Sequence, residues 1–462
     1  MTILRSRLIL FSFLLGFGLV LLNVPTASAI PAFARKYETS CQTCHVGFPK
    51  LNPFGEAFRL NGYRMPKETE DQVKIKPVSL GSDAYKRLWP RAIYPSDIPG
   101  HLPVALNVKF ASVYASTLDD TGRTVTKNDF QFPQEVNLFA GGTFGDHMSY
   151  LVEVTHSERP DGGSDTEIEH AQLHLNSIWG PEHLVNVKIG KFAPDFADGF
   201  QEMWLSTNNG IDTLFSYDPV GLHGGNSLDG GGISLPANVR AIEVYGVSHH
   251  RLFYTLGITN GIGPGASGSF NAHANKDVYA RVDYKLGGMG LDGDTTGVKL
   301  PPENWRERSL RVGVLGYAGD GKGFNMPFTD DTGAQVNIQD RTFTRGGLYA
   351  SWIFEDLNVF AVALSGRDRL DTFAADGTRT NTASYRYNSW FVQADYVFLP
   401  PLQGSLRYEN LKPGDKSVGS MRALNASLAF FAYANVKTIL EYHRDLHNTK
   451  NYEVDTVLRV AF

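Results

Sequence analysis

Beyond residue 100, apolar and polar residues alternate with a period of two along most of the chain. Leu106, Val108 and Phe110 alternate with Asn107, Lys109 and Ala111. Val278, Ala280, Val282 and Tyr284 alternate with Tyr279, Arg281, Asp283 and Lys285. Trp390, Val392, Ala394, Tyr396 and Phe398 alternate with Phe391, Gln393, Asp395 and Val397. Successive side chains of a strand point to opposite faces, so this pattern predicts strands with one apolar and one polar face. Sixteen are predicted, at 104–116, 130–142, 148–157, 167–177, 184–193, 237–247, 251–260, 276–286, 309–318, 341–353, 357–366, 386–398, 402–411, 421–433, 435–445 and 451–462. Alternation alone would also suit a soluble sandwich.

The connections separate the two. Short turns at Phe144–His147, Ser248–His250, Glu355–Asp356, Leu399–Pro401 and Ala434 interleave with longer loops. The long ones include Asp161-Gly162-Gly163, the segment 194–236 and the run that opens Gly319-Asp320-Gly321-Lys322-Gly323. Short turns at one end and long loops at the other are the layout of bacterial outer-membrane barrels. Segment 287–308 is long where a short turn is expected, which leaves the count open by two. In the last strand Tyr452, Val454, Thr456, Leu458, Val460 and Phe462 share one face. So long an apolar edge would invite aggregation in a soluble sheet, and barrel closure removes the edge. A terminal Phe on such a strand is also similar to the signal read by outer-membrane assembly machinery. The expected fold is all-β: an antiparallel outer-membrane β-barrel of about 16 strands over residues 104–462. An even count puts both barrel ends on the short-turn, periplasmic side. Abundant aromatics, with 20 Tyr and 29 Phe, suit girdles at the two lipid interfaces.

Residues 1–29 read as a secretory signal peptide. Arg5 and Arg7 precede the apolar run Leu8–Leu22, and Ala27-Ser28-Ala29 forms a cleavage site. An apolar core of about 15 residues is short of the roughly 20 that a spanning helix needs. The absence of an adjacent Arg pair favours the general secretory route. Loss of these two arginines takes the formal charge from −5 to −7. This mildly acidic balance argues against nucleic acid as a partner.

Between the signal and the barrel lies 30–103, which holds the only two cysteines, Cys41 and Cys44, followed by His45. Cys-x-x-Cys-His is the pattern of c-type haem attachment. Two cysteines at that spacing can form thioethers to the two vinyl groups along one porphyrin edge. The adjacent His then supplies an axial imidazole to the iron. Three rivals remain. A thioredoxin-like pair needs an α/β unit around it, a zinc site needs four ligands, and a plain disulfide leaves His45 unexplained. Asn52-Pro53 predicts a helix start and Asn61-Gly62 its end, with Phe54 and Phe58 on one apolar face. Met65 is the first candidate for the sixth iron ligand, then His101, then His170 and His174, whose alternation aims them into the lumen. For the last two, polar lumen lining is the plainer account. A segment this small has a marginal core. It is therefore expected to plug or cap the lumen, with the Pro-rich stretch 66–103 threading to the first strand.

Cys41, Cys44 and His45, with Pro49, Leu51-Asn52, Phe54-Gly55, Phe58 and Asn61-Gly62-Tyr63, resemble the fused outer-membrane monohaem cytochrome–porin family of iron-oxidising bacteria. The detailed resemblance covers about a tenth of the chain. It implies one covalent haem c, and electrons drawn from extracellular Fe(II) and passed to a periplasmic c-type cytochrome. Acidic loop residues (Glu158, Asp161, Asp165, Asp330, Asp331) could attract a hard cation, although charged loops are commonly just solvated. Two other readings stay open: a diffusion porin whose haem is structural or regulatory, and a haem redox enzyme with an open iron position.

Overall fold

The computed structural model describes residues 32–66, scattered positions between 75 and 98, and 100–462 apart from 120, 146, 159–161, 197–204, 212–234, 236–237, 261–274, 325–327, 330–334, 337–338, 374–377 and 415–419. The expected signal peptide, Asp161, Asp330 and Asp331 lie outside the described residues.

From residue 104 the chain forms one closed barrel of sixteen antiparallel strands. They are β1 (Val104–Leu118), β2 (Thr124–Phe144), β3 (Met148–Glu158), β4 (Ser164–Trp179), β5 (Val185–Phe192), β6 (Val239–Ser248), β7 (Leu252–Asn260), β8 (Lys276–Gly287), β9 (Arg308–Phe324), β10 (Gln339–Phe354), β11 (Leu357–Phe373), β12 (Arg379–Leu399), β13 (Leu402–Pro413), β14 (Met421–Tyr433), β15 (Val436–Asp445) and β16 (Tyr452–Ala461). Each pairs with its neighbour in sequence, and β16 closes on β1 from Tyr452↔Ser116 to Ala461↔Asn107. All sixteen predicted segments are strands. Several reach further toward the long loops than expected: β2 starts at Thr124 and β12 at Arg379, and β9 runs to Phe324. These extensions lack an apolar face, so alternation cannot mark them. In β2, residues 124–129 are held by their ladder to β1, from Leu118↔Thr124 to Val113↔Asp129.

The burial pattern is that of a soluble protein turned inside out. In β8 the outward Val278 and Val282 are 48% and 44% exposed, whereas the inward Arg281 and Asp283 are 1% and 2% exposed. In β12 the outward face reads Thr380, Thr382, Ser384, Arg386 and Asn388, then Trp390, Val392, Ala394, Tyr396 and Phe398. The apolar part matches the roughly 9–11 residues with which a strand crosses hydrocarbon. Aromatics mark its two limits, with Trp390 packed on Tyr408 at 5.3 Å and Tyr396 on Phe398 at 5.1 Å.

A barrel of this strand number encloses a lumen wide enough for a channel. Here two segments enter it. The first is 32–66, described below. The second lies within 194–236, which the sequence presented as a long outer loop. Its described residues turn inward instead. Phe196 packs on Tyr279 and Tyr317 at 5.0 and 5.2 Å. Leu205, Ile211 and Leu235 join them in a buried cluster with Phe343, Tyr349 and Phe391. Across the lumen, the backbone amides of Asn208 and Asn209 donate to Glu441 at 2.6 and 2.9 Å, and their side chains to Asp455 at 3.0 and 3.1 Å. An inward path needs apolar and amide groups matched to wall residues up to 247 positions away, which no local pattern reports.

The anomalous segment 287–308 leaves the strand count at sixteen. It folds back over the short-turn end. Leu291 donates its amide to the His250 carbonyl at 2.8 Å and is buried with Leu60, Tyr245, Val247 and Phe253. Asn304 donates to the carbonyls of Gln42 and Thr43. Its extra length therefore covers the N-terminal segment.

Candidate functional site

Residues 32–66 build a small unit from α1 (Ala32–Tyr37), a 3-10 turn (Cys41–Thr43), a hairpin of His45–Gly47 with Lys50–Leu51, and α2 (Pro53–Leu60). Asn52 joins these parts. Its side-chain oxygen accepts from Gly55 N at 2.8 Å and caps α2. Its side-chain nitrogen donates to the carbonyls of Gln42 and Thr43 at 3.2 and 3.1 Å, and its own amide to the Cys44 carbonyl at 3.0 Å. Helix α2 thereby rests directly on the cysteine motif. The approach requires glycine at 55, where a Cβ would lie 1.9 Å from the Cys44 oxygen. The predicted helix start and stop hold. At the stop, Gly62 has φ +65, and a Cβ there would meet Asn176 of β4 at 2.1 Å. Helix α1 carries too few residues for its periodicity to show. It supplies Phe33 and Tyr37, whose rings pack on Phe58 at 5.4 and 6.0 Å, and Phe33 also stacks on Tyr63 at 5.5 Å.

Cys41 and Cys44 are both free thiols. Burial pushes both up, Cys44 to about 12, so neither is a reactive thiolate by environment alone. His45 Nδ1 lies 2.9 Å from the Pro49 carbonyl oxygen. A carbonyl only accepts, so Nδ1 carries the proton and donates. That fixes the tautomer and leaves the Nε2 lone pair for a metal. Burial also pushes the imidazole down to about 4, keeping it neutral as ligation requires. Free paired thiols, a neutral oriented imidazole and a clamped backbone between them fit covalent haem attachment. Among the described residues, no group of three or more His, Cys, Asp or Glu could hold a metal ion. Glu158 and Asp165 likewise join no such group.

The unit is bound to the inner wall at the short-turn end. Arg59 pairs with Glu56 at 2.9 Å and with Asp195 at 2.6 Å. Arg311 of β9 pairs with Glu56 at 3.0 Å and also with Asp283. Burial pushes the Glu56 carboxyl up, but Arg59 and Arg311 more than reverse it, so Glu56 lies below the usual range. Lys50 pairs with Asp395 of β12 and donates to Asn358 at 2.8 Å. Gln403 of β13 donates to the Val46 carbonyl at 2.8 Å, and Lys36 donates to Thr143 of β2. The motif is thus moored to strands all round the barrel. Glu56 and Arg59 are an ordinary i, i+3 pair in the sequence, and nothing there signals Arg311 or Asp195 as partners.

The remaining candidate ligands fall into different settings. Met65 is half-buried, and its carbonyl accepts from Asn61 at 2.9 Å. His101 is buried. His170 and His174 do face the lumen. His170 has both ring nitrogens engaged, with Glu153 at 3.1 Å and Asn238 at 3.1 Å, which matches polar lining rather than ligation. His174 meets the Tyr245 hydroxyl at 2.9 Å and stands edge-on to Tyr63 at 5.4 Å, so it buttresses the docked unit.

No protein-family model and no curated protein matches the chain. Among solved structures it is similar to an anion-selective porin from Comamonas acidovorans, at 11% identity and TM-score 0.48, covering 78% of this chain and 99% of that one. The Salmonella typhi OmpF complex with daunomycin matches at 11% identity and TM-score 0.49, covering 80% and 99%. The outer-membrane channel DcaP of Acinetobacter baumannii matches at 14% and 0.47, covering 78% and 96%.

Proposed function

We propose that this protein is an electron conduit of the bacterial outer membrane. One haem c, carried by Cys41, Cys44 and His45, relays electrons from an extracellular donor, Fe(II), to a periplasmic c-type cytochrome. The observation that carries the reading is the setting of the motif. Cys-x-x-Cys-His is held by its own Asn52 and Pro49, and the unit that bears it is moored inside the short-turn mouth of a barrel with an apolar outer face. That outer face suits membrane lipid, and the short-turn end is the periplasmic one in such barrels. A haem bound here supplies a one-electron couple. The two thiols tether it against loss, His45 supplies the fixed imidazole, and Met65 is the candidate sixth ligand. Arg59, Glu56 and Lys50 hold the unit in place. Phe196 and residues 205–211 fill part of the lumen beyond it, which narrows the path for solutes and leaves an electron conduit unaffected. Fe(II) as donor rests on the resemblance of the 41–63 run.

The test is anaerobic mixing of the purified, oxidised protein with Fe(II) while the haem bands are followed. Reduction of the haem is expected. Absence of reduction at every pH from 3 to 7 removes Fe(II) as the donor. A five-coordinate, high-spin spectrum would turn the reading toward a haem redox enzyme. The second reading, a diffusion porin with a structural haem, is favoured by the sixteen-stranded barrel itself. Sugar or ion flux through the intact protein in liposomes would support it.

A further inference from the structure

The outer face of the barrel carries a groove at its long-loop end, with a volume of about 510 Å³. Ile168, Ile189, Ile242 and Ile258 line it and are 52%, 41%, 50% and 45% exposed. The register sets three of them in one line across β5, β6 and β7, with Ile189 opposite Ile242 and Ile242 opposite Ile258. Ala171 and Gly190 line the groove too, and their small size leaves room between the isoleucines.

Two residues nearer the long loops, on the same face, the line turns polar. Lys191 stands opposite Arg240 there, and Asn260 opposite Lys276. Arg240 lies one residue beyond the pair Ala241↔Thr259, which brings it level with Asn260. All four line the groove. Two residues of strand span about 6.8 Å, so this cationic rim directly borders the apolar floor. Glu167 answers the charge of Lys191. Arg240 and Lys276 have contacts within the protein as well. A guanidinium offers five donors and an ammonium three, so an existing partner still leaves donors for a ligand. Neighbouring strands are about 4.8 Å apart, so Arg240 and Lys276 flank Asn260 over about 10 Å. Two long side chains can close across that span on one phosphate.

We propose that this groove seats a phosphorylated lipid of the outer leaflet. Its acyl chain lies along Ile189, Ile242 and Ile258, and its phosphate sits between Arg240, Asn260 and Lys276. This rests on the reading of the barrel as an outer-membrane protein with its long loops outside. Arg240 suits a bidentate phosphate contact, and Lys276 acts as a point charge beside it. A free phosphate shares the head-group chemistry. The seat is assigned to a lipid because the isoleucine floor offers an acyl chain a surface that a free ion does not use.

The test is native mass spectrometry of the purified full-length protein in detergent with added diphosphoryl lipid A. Wild type is compared with R240Q/K276Q and with the charge-preserving K276R. Wild type is expected to retain the lipid, K276R to bind it nearly as well, and R240Q/K276Q to bind it about tenfold more weakly. Heat-modifiable gel mobility verifies that the barrel has closed; if the double variant does not close, K276Q alone carries the comparison. Equal affinity of closed wild type and closed variant overturns the proposal. Dipalmitoylglycerol, which has chains and no phosphate, overturns it by binding as tightly as lipid A. Inorganic phosphate that displaces lipid A at equal concentration overturns it in favour of a free anion. A wild-type protein that stays in solution without detergent and does not enter liposomes overturns the outer-membrane reading and this one with it.

Discussion

Glu56→Ala tests how the cysteine-bearing unit is held in the barrel. The Glu56 carboxylate accepts from Arg59 at 2.9 and 3.0 Å and from Arg311 at 3.0 Å, all buried. Removing one partner of a buried ion pair costs roughly 3–5 kcal/mol, because the other charge is left without compensation. Arg59 keeps Asp195, and Arg311 keeps Asp283. The low end, about 3 kcal/mol, therefore applies, which is on the order of 10²-fold in the docking equilibrium. The barrel ladders do not involve Glu56, so the loss falls on docking rather than on closure. The assay is limited trypsin digestion in detergent, following cleavage after Lys50 and Arg59 beside heat-modifiable mobility of the barrel. When opening is fast relative to cleavage, proteolysis tracks the open population. Cleavage should rise by about two orders of magnitude with mobility unchanged. The pH dependence has a definite sign. Glu56 is depressed in the folded state, so its contribution is complete above the ordinary carboxyl value of about 4.3 and is lost as pH falls through the lower folded value. Asp195, also depressed despite burial, acts in the same window. Read with pepsin, which is active in acid where trypsin is not, wild-type cleavage should therefore begin to climb only below about pH 4, where Glu56→Ala gains less. Equal cleavage of wild type and variant at neutral pH would refute the mooring argument.

Other predictions concern the motif and the lumen. Cys41→Ala and Cys44→Ala should each leave at most one thioether, seen as a red-shifted pyridine haemochrome and partial haem loss on denaturing gels. His45→Ala should abolish low-spin haem altogether. Met65→Ala should convert six-coordinate haem to a carbon-monoxide-binding form; retention of the wild-type spectrum would exclude Met65 as sixth ligand. In Gly55→Ala the new Cβ would press on the Cys44 carbonyl at 1.9 Å. Overpacking against backbone costs about 1–3 kcal/mol or more, so protease sensitivity should rise while gel mobility stays that of a closed barrel. Glu441→Gln removes the charge that anchors Asn208 and Asn209, and ion flux in liposomes should rise from the wild-type level.

The strands were legible because an apolar outer face and a polar lumen face impose a strict rule on each position. Val278, Val282 and Tyr284 lie on the apolar outer face, and Arg281, Asp283 and Lys285 on the polar inner one, so period two is written along the chain. Cys41, Cys44, His45, the Asn52-Pro53 helix start and the Asn61-Gly62 stop were legible because each depends on residues within a few positions. Strand extensions beyond the apolar band, such as 124–129, have no apolar face and left no alternation. The length of 287–308 was visible, but its purpose was not. It matches the backbone of Gln42 and Thr43 more than 250 residues away.

The sequence by itself determined a barrel of about sixteen strands, with the count open by two, and one cysteine–histidine motif before its first strand. Only the tertiary structure decided that the described residues of 194–236 (Phe196, 205–211 and Leu235) turn inward, that Arg311 and Asp195 close on Glu56 and Arg59, and that Lys109, Arg459 and Lys437 form one row. The physical reason is range. A pleat or a helix cap repeats over a few residues, whereas barrel register joins Lys109 to Arg459 only once sixteen strands have closed into a ring.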